Sequence, residues 1–307
     1  MPERDHGWEP ITDLPRDWLR LSDPEISSVR VEWLSIRMAL KPGALTEFRE
    51  KISREWAIET GKVESLYDIG SGLTRKMIDE GLDSVELSCQ TTSLGAVEPI
   101  IFIRNQYDVV ESLYKEVLEG WPLTPHTLRS LHAAFVENQD FTVGMLPTGE
   151  LVRIPMAKGI FKKWPNNPLM PDGRLHQYCP PEQVASEIDR LLAMHAKHQK
   201  YAVPSDIEAA WLHHRFVQIH PFQDGNGRVA RVLAALEYIK DGFFPPVVTA
   251  DSKTDYIYAL DKANDGDLKP FVRYLSGLAL KQTCELMDLA KRPENRGLFA
   301  SNPVVDS

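Results

Sequence analysis

Apolar residues along the chain recur mostly at helical spacing. From Ser205 to about Ile219, the residues Ala209, Leu212, Phe216 and Ile219 share one face. After a short polar break, Val229, Leu233 and Leu236 repeat the rhythm, with Lys240 at the end of the stripe and Gly242 and the Pro245-Pro246 pair as stop signals. Ser205 and Glu208 have the spacing of a capping box at the start of the first of these helices. Upstream, KPGALTEFREKISREWAIETGKVESLYDI carries a helical stripe behind a Pro-Gly start, within a stretch from about 27 to 120 that reads as mostly helical. Thr124 and Pro125 predict an N-cap and a first helical residue. The rhythm changes in FTVGMLPTGELVRIP, where two short β-prone runs flank a turn at Pro147, Thr148 and Gly149 and predict a hairpin. KKWPNNPLMPDGR is turn-rich, PPEQVASEIDRLLAMHAKHQ is helical again, and a last helix runs from about 268 to 290. Residues 1 to about 25 predict an extended lead-in and 292 to 307 a loose tail. The predicted fold class is mainly α, with one small β-hairpin.

Composition adds limits. The chain has 307 residues, 43% hydrophobic and 26% charged, as in an ordinary soluble domain or two. A net charge of -9 argues against nucleic acid as a partner, because a phosphate backbone would be repelled overall. Cys89, Cys179 and Cys284 are odd in number and far apart, which predicts reduced thiols in a cytoplasmic protein rather than a disulfide framework or a metal pair. The charged start MPERDHGWEP does not read as a secretory signal, and no apolar run is long enough to span a membrane.

The polar break itself, HPFQDGNGRVAR at 220–231, holds the candidate chemistry. His220 precedes Pro221, which pushes its backbone out of the helical region and aims the imidazole into the loop. Gly225, Asn226 and Gly227 allow tight backbone geometry where the next helix starts, and its free N–H groups suit an anion. Arg228 and Arg231 lie on neighbouring positions of that helix, and two guanidinium forks beside an N–H nest suit a polyphosphate. Asp224 would repel phosphate unless a cation lies between them, which implies Mg²⁺. His220, with an ordinary pKa near 6.5, has the chemistry of a general base at neutral pH. Walker A, dinucleotide-fingerprint and EF-hand patterns all fail on these letters. His195 and His198, and His213 and His214, read as packing or surface residues rather than zinc ligands.

HPFQDGNGRVAR resembles the signature of the Fic (Fido) domain family, HxFx[DE]GNGRxxR, with every specified position matched. The resemblance implies a Fic-fold helical bundle with a hairpin flap, and transfer of AMP from ATP onto a hydroxyl side chain of a target protein. By that resemblance His220 deprotonates the target, Asp224 holds Mg²⁺, Gly225, Asn226 and Gly227 form the anion nest, and Arg228 and Arg231 bind the outer phosphates. Phe222 anchors the loop. Residues 149 to 156 would be the flap edge that receives an extended target segment, and Tyr256 and Tyr258 would line an adenine pocket. Many members carry an inhibitory helix with the pattern [ST]xxxE[GN]. TGKVES matches at Thr60 and Glu64 and departs at Ser65, which implies that Glu64 pairs with Arg231 and blocks ATP; Glu59 lacks a Ser or Thr four residues before it. The expected division is an N-terminal helical region over 1–120, a catalytic core over 121–275 and a C-terminal helix and tail over 276–307. The competing readings are a relative that removes AMP or moves another phosphate-containing group, and an ATP-binding module without turnover. A homodimer is a candidate state, but no residue selects an interface.

Overall fold

The computed structural model describes residues 7–85, 98–145, 148–169, 173, 175–292 and 297–298. Among the described residues there are ten α-helices, and two of them, α7 (Ser205–Ile219) and α8 (Asn226–Lys240), form a central pair whose connection is the polar loop. Nearly every residue of α8 up to Ile239 is buried, so this helix is apolar almost all round and forms the centre of the core. Helices α4 (Pro99–Glu119) and α5 (Pro125–Phe135) pack on α8, while α6 (Val184–Lys200) and α10 (Lys269–Lys291) pack on α7. Helix α1 (Pro24–Ala39) lies on α10, and α9 (Lys253–Asn264) precedes α10. A smaller core joins α2 (Pro42–Val63), α3 (Ser71–Glu80) and α4 around Tyr67, Met77 and Phe102.

Local chemistry sets several boundaries as the sequence predicts. Thr124 caps α5, its Oγ1 accepting from the Thr127 amide at 3.1 Å, with Pro125 behind it. Gly120, in the left-handed region, closes α4. The hairpin is present: β1 (Phe141–Met145) pairs antiparallel with β2 (Leu151–Pro155), Val143 opposite Arg153. Thr148 and Gly149 lie in its turn, whereas Pro147 falls outside the described residues, as does Cys89. The lead-in is strapped down: the Ile11 amide donates to Glu187 at 2.8 Å and the Trp211 indole donates to the Thr12 carbonyl at 3.1 Å. Most of 292–307 lies outside the described residues.

The capping box at α7 is a correction. Pro204 occupies the N-cap position, and the Ser205 hydroxyl donates to Asp241 at 2.8 Å. The Glu208 carboxylate is fully buried and lies 2.6 Å from Nδ1 of His195 and 2.8 Å from Nδ1 of His198. Two histidines from α6 outcompete the local backbone for that carboxylate, because a buried charge needs charge-assisted partners. His198 in turn reaches Asp13 through Nε2 at 2.7 Å, which ties α6, α7 and the lead-in together. Among the described residues no group of three or more His, Cys, Asp and Glu is arranged to hold a metal ion. No described helix is long and apolar enough to cross a membrane.

Candidate active site

The loop between α7 and α8 takes its shape from its own sequence. His220 ends α7 with φ 50° and ψ 58°, its amide still bonded to the Phe216 carbonyl at 2.9 Å. Pro221 does exclude the helical region for His220, but the left-handed region is adopted rather than an extended one, a strained choice for a non-glycine residue. Phe222 is fully buried, its ring stacked on His132 of α5 with centroids 3.8 Å apart. The Asn226 side chain clamps the loop on both sides: its Oδ1 accepts from the Phe222 amide and its Nδ2 donates to the Phe222 carbonyl, each at 2.8 Å. Asn226 therefore fixes the loop backbone with its side chain and offers an anion only its amide. Gly225, at φ 80°, is the N-cap of α8, so the amides that follow it have no acceptor within the helix. They make the N-terminus of α8 an anion seat.

Arg228 does not face that seat. It is fully buried and donates to the Phe135 carbonyl at 3.2 Å and to Gln139 Oε1 at 2.9 Å. The role of an outer-phosphate ligand expected for it is not the one this geometry serves; Arg228 braces Asp224, 3.9 Å away. Asp224 Oδ2 accepts from Gln139 Nε2 at 2.6 Å and from the Thr142 hydroxyl at 3.1 Å, and Oδ1 accepts from the Gly225 amide at 2.6 Å. Burial pushes this carboxyl up, but Arg228 and these donors outweigh it and hold Asp224 below the usual carboxylate range. The result is an ionised, one-third exposed carboxylate whose Oδ1 keeps a lone pair free. That fits a Mg²⁺ ion, which commonly takes one or two carboxylates and fills its other positions with water and substrate phosphate. Gln139 and Thr142 carry no motif signal; the hairpin brings them in.

A cavity of about 250 Å³ opens beside the loop, with His220, Gly227, Arg231, Lys253, Tyr256 and Glu64 in its wall. Arg231 is almost fully buried, and α2 holds it from three directions. Its Nε donates to the Thr60 hydroxyl at 2.6 Å, and Nη2 donates to the Thr60 carbonyl at 3.2 Å and to Glu64 Oε1 at 2.6 Å. It is Glu64, not Glu59, that reaches Arg231. Gly227 leaves the room for this: a Cβ there would lie 2.4 Å from Glu64 Oε1. The carboxylate thus rests against the first turn of α8 and its guanidinium, where an anion would sit.

Tyr256 lines the cavity and its hydroxyl lies 2.9 Å from His213 Nε2. Tyr258 does not line it. Two residues along a helix it points away, 61% exposed, with Lys262 over its ring, and Ile257 takes the neighbouring place in the wall.

His220 is covered from one side. The Tyr178 ring lies parallel to the imidazole, centroids 3.7 Å apart and 8° between planes. Burial, then the nearby Lys162 ammonium, lower its pKa to about 3, so the ring is neutral. Its Nδ1 lies 3.3 Å from the Val217 carbonyl, which can only accept; a proton on Nδ1 leaves the lone pair on Nε2. Tyr178 and Lys162 belong to a turn-rich loop that no pattern in the sequence singles out.

Residues 122–237 match the model of the Fic/DOC family. The protein adenylyltransferase fic-1 of Caenorhabditis briggsae is 36% identical over 96 residues, covering 31% of this chain and 19% of that protein. The protein adenylyltransferase Fic of Nematostella vectensis is 43% identical over 68 residues, 22% of this chain and 16% of its own. The matched stretches thus span a fifth or less of these relatives. Among solved structures, a Fic domain containing signaling protein from Bacteroides thetaiotaomicron shares the fold with a TM-score of 0.69 at 22% identity, covering 87% of this chain and 96% of that one. A Fic-1 structure from C. elegans does so with 0.63 at 19% identity, over 90% and 73%. With the whole signature set at one helix junction inside the matched region, residues 122–237 are similar to the Fic/DOC family, and the chain shares its fold with solved Fic-domain structures.

Proposed function

We propose that this protein is an adenylyltransferase that moves AMP from ATP to a hydroxyl side chain of a target protein, and that Glu64 holds it in check. The observation that carries the reading is the meeting of a neutral imidazole, an anion seat at the start of α8 and a buried guanidinium in one cavity wall. Nε2 of His220 takes the proton of the incoming hydroxyl, whose oxygen attacks the α-phosphorus of ATP while pyrophosphate leaves. General-base help of this kind is worth roughly a hundred- to ten-thousandfold in rate. The amides of Asn226 and Gly227 and the guanidinium of Arg231 hold the phosphates. Asp224 would hold Mg²⁺, which when bound offsets phosphate charge. The outer edge of β2 pairs with no other strand among the described residues, and it is the edge on which an extended target segment would add.

In this reading Glu64 stands in for a phosphate. Its carboxylate uses Arg231 and the room above Gly227, so ATP can seat fully only once Glu64 has left. The test is label transfer. Glu64→Gly protein, mixed with cell lysate and ATP, is expected to label a protein band from α-labelled but not from γ-labelled ATP. Label from the γ position would mean another group is moved, and release of AMP from modified protein would favour the reverse reaction. ATP binding without any transfer would leave a binding module.

A further inference from the structure

The Tyr178 ring stacks on the His220 imidazole, and its placement is heavily determined. The Tyr178 amide donates to Asn167 Oδ1 at 3.0 Å, and its ring meets His176 edge-on at 4.7 Å. The His176 amide donates to the Pro168 carbonyl at 3.0 Å, and Leu169 bridges to Leu175, which joins the two sides of this segment. Its flanking residues are tied to the α7–α8 junction by hydrogen bonds to backbone carbonyls there. The Lys162 amide donates to the Pro221 carbonyl at 2.8 Å, Asn166 Nδ2 donates to the Phe222 carbonyl at 2.8 Å, and the Cys179 amide meets the Gln218 carbonyl at 3.4 Å. The buried Lys162 ammonium donates to Asn166 Oδ1 at 2.8 Å and lies 5.7 Å from the centre of the Tyr178 ring.

His220 itself has weak local restraint: one long contact to Val217 and a strained backbone angle. An imidazole so held would swing about its Cα–Cβ bond unless a flat surface faces it. A parallel ring at 3.7 Å supplies that surface and also keeps water off one face.

We propose that Tyr178 is a positioning residue for His220: its ring clamps the imidazole in the plane that presents Nε2 to the cavity, and Lys162, fixed over the same ring, keeps a positive charge beside the imidazole. This rests on the reading of His220 as the base. The groups that face His220 are Lys162, His176 and Tyr178 from this loop and Asp224 from its own, with Glu64 of α2 facing Tyr178. Burial pushes the Tyr178 hydroxyl up to about 12, so the ring stays neutral, and lowers Lys162 to about 8, so its charge persists at neutral pH.

Two readouts test this. The first needs no reaction: an NMR titration of the His220 ring proton in the resting protein, assigned by its loss in His220→Gln. Wild type and Tyr178→Phe are expected to show no protonation of His220 above pH 5. Tyr178→Ala, which opens the imidazole to water, should titrate nearer the ordinary value of about 6.5, and Lys162→Met should shift the same way by a smaller amount. The second readout is kinetic, in Glu64→Gly protein. Tyr178→Ala should lower kcat about ten- to a hundredfold, the cost of a displaced reacting group, with KM for ATP nearly unchanged, its acid limb moved to higher pH, and Tyr178→Phe close to the parent. A titration and a kcat that Tyr178→Ala leaves unmoved would overturn the proposal. A loss in KM rather than kcat would make Tyr178 a wall of the ATP site instead. Absence of transfer in every variant would count against the reaction assigned to His220, while the titration would still decide on Tyr178.

Discussion

Ser65 stands where the inhibitory pattern of the family has Gly or Asn, and its backbone gives the physical reason for those residues. Its φ is +56°. Glu64 is the C-cap of α2; the Ser65 amide donates to the Lys62 carbonyl at 2.9 Å and the Leu66 amide to the Gly61 carbonyl at 3.0 Å. These are the two bonds of a Schellman motif, whose left-handed position favours Gly or Asn. A left-handed serine costs roughly 1–2 kcal/mol, and the greater freedom of glycine in the unfolded chain takes back about 0.5–1 kcal/mol. Ser65→Gly should therefore stabilise the protein by up to about 1.5 kcal/mol by these terms, raising the urea midpoint; a lower midpoint would count against this account of the helix end. The sequence makes the mismatch at Ser65 visible, but its meaning depends on where α2 stops. Arg228 is similar. Its presence in GNGR is plain, yet its direction is set by Gln139 and the Phe135 carbonyl, partners about ninety residues away in sequence that no local pattern reveals.

At the scale of elements, the end of α2 is tied to the catalytic region at three places. Glu59 Oε2 accepts from the Ala250 amide at 2.8 Å, the Val63 carbonyl accepts from Lys253 Nζ at 2.7 Å, and Thr60 and Glu64 hold Arg231. Glu59, which the pattern sets aside in favour of Glu64, is thus an anchor for the helix that carries Glu64. Glu59→Ala leaves the Ala250 amide without its acceptor, at a cost of about 1–3 kcal/mol. Hydrogen exchange at the amides of 60–64 should speed up in that variant, and exchange as slow as in wild type would show that the tie does not hold the helix end. The helix pair α7–α8, the Thr124 cap and the hairpin were legible because each rests on spacing or turn chemistry within a few residues. The capping box failed because Glu208 answers to His195 and His198 of another helix. The segment that covers His220 was illegible for the same reason: Lys162, Asn166 and Tyr178 meet 220–223 across the fold, over forty residues away in sequence, where no local pattern reaches.

The whole molecule buries several histidines in neutral form. Burial lowers His132 to about 4, His214 and His220 to about 3, and His213 well below its ordinary value. Unfolded, each takes a proton near pH 6.5. Below that pH the unfolded chain binds more protons than the folded one, so stability falls as the medium is acidified towards pH 4, each group contributing up to about 1.4 kcal/mol per pH unit. His198 runs the other way. Burial pulls it down, but Glu208 and Asp13 raise it on balance, so its contribution is complete below pH 6.5 and is lost as the pH rises through its folded value. The urea midpoint should therefore drop from pH 6.5 to about pH 5, above the ordinary carboxylate range; a midpoint flat over that range would count against histidines kept neutral by burial. The proposed function requires that, in the site these helices enclose, Glu64 takes the place of a phosphate and His220 acts as the base. Intact-mass spectrometry of wild type, Glu64→Gly, and Glu64→Gly with His220→Ala, each given ATP, Mg²⁺ and cell lysate as a source of target, tests it most directly when the lysate proteins are read alongside. The account predicts AMP adducts with Glu64→Gly, few with wild type and none with the double variant. Equal adducts with wild type and Glu64→Gly, or adducts that survive the loss of His220, would contradict it.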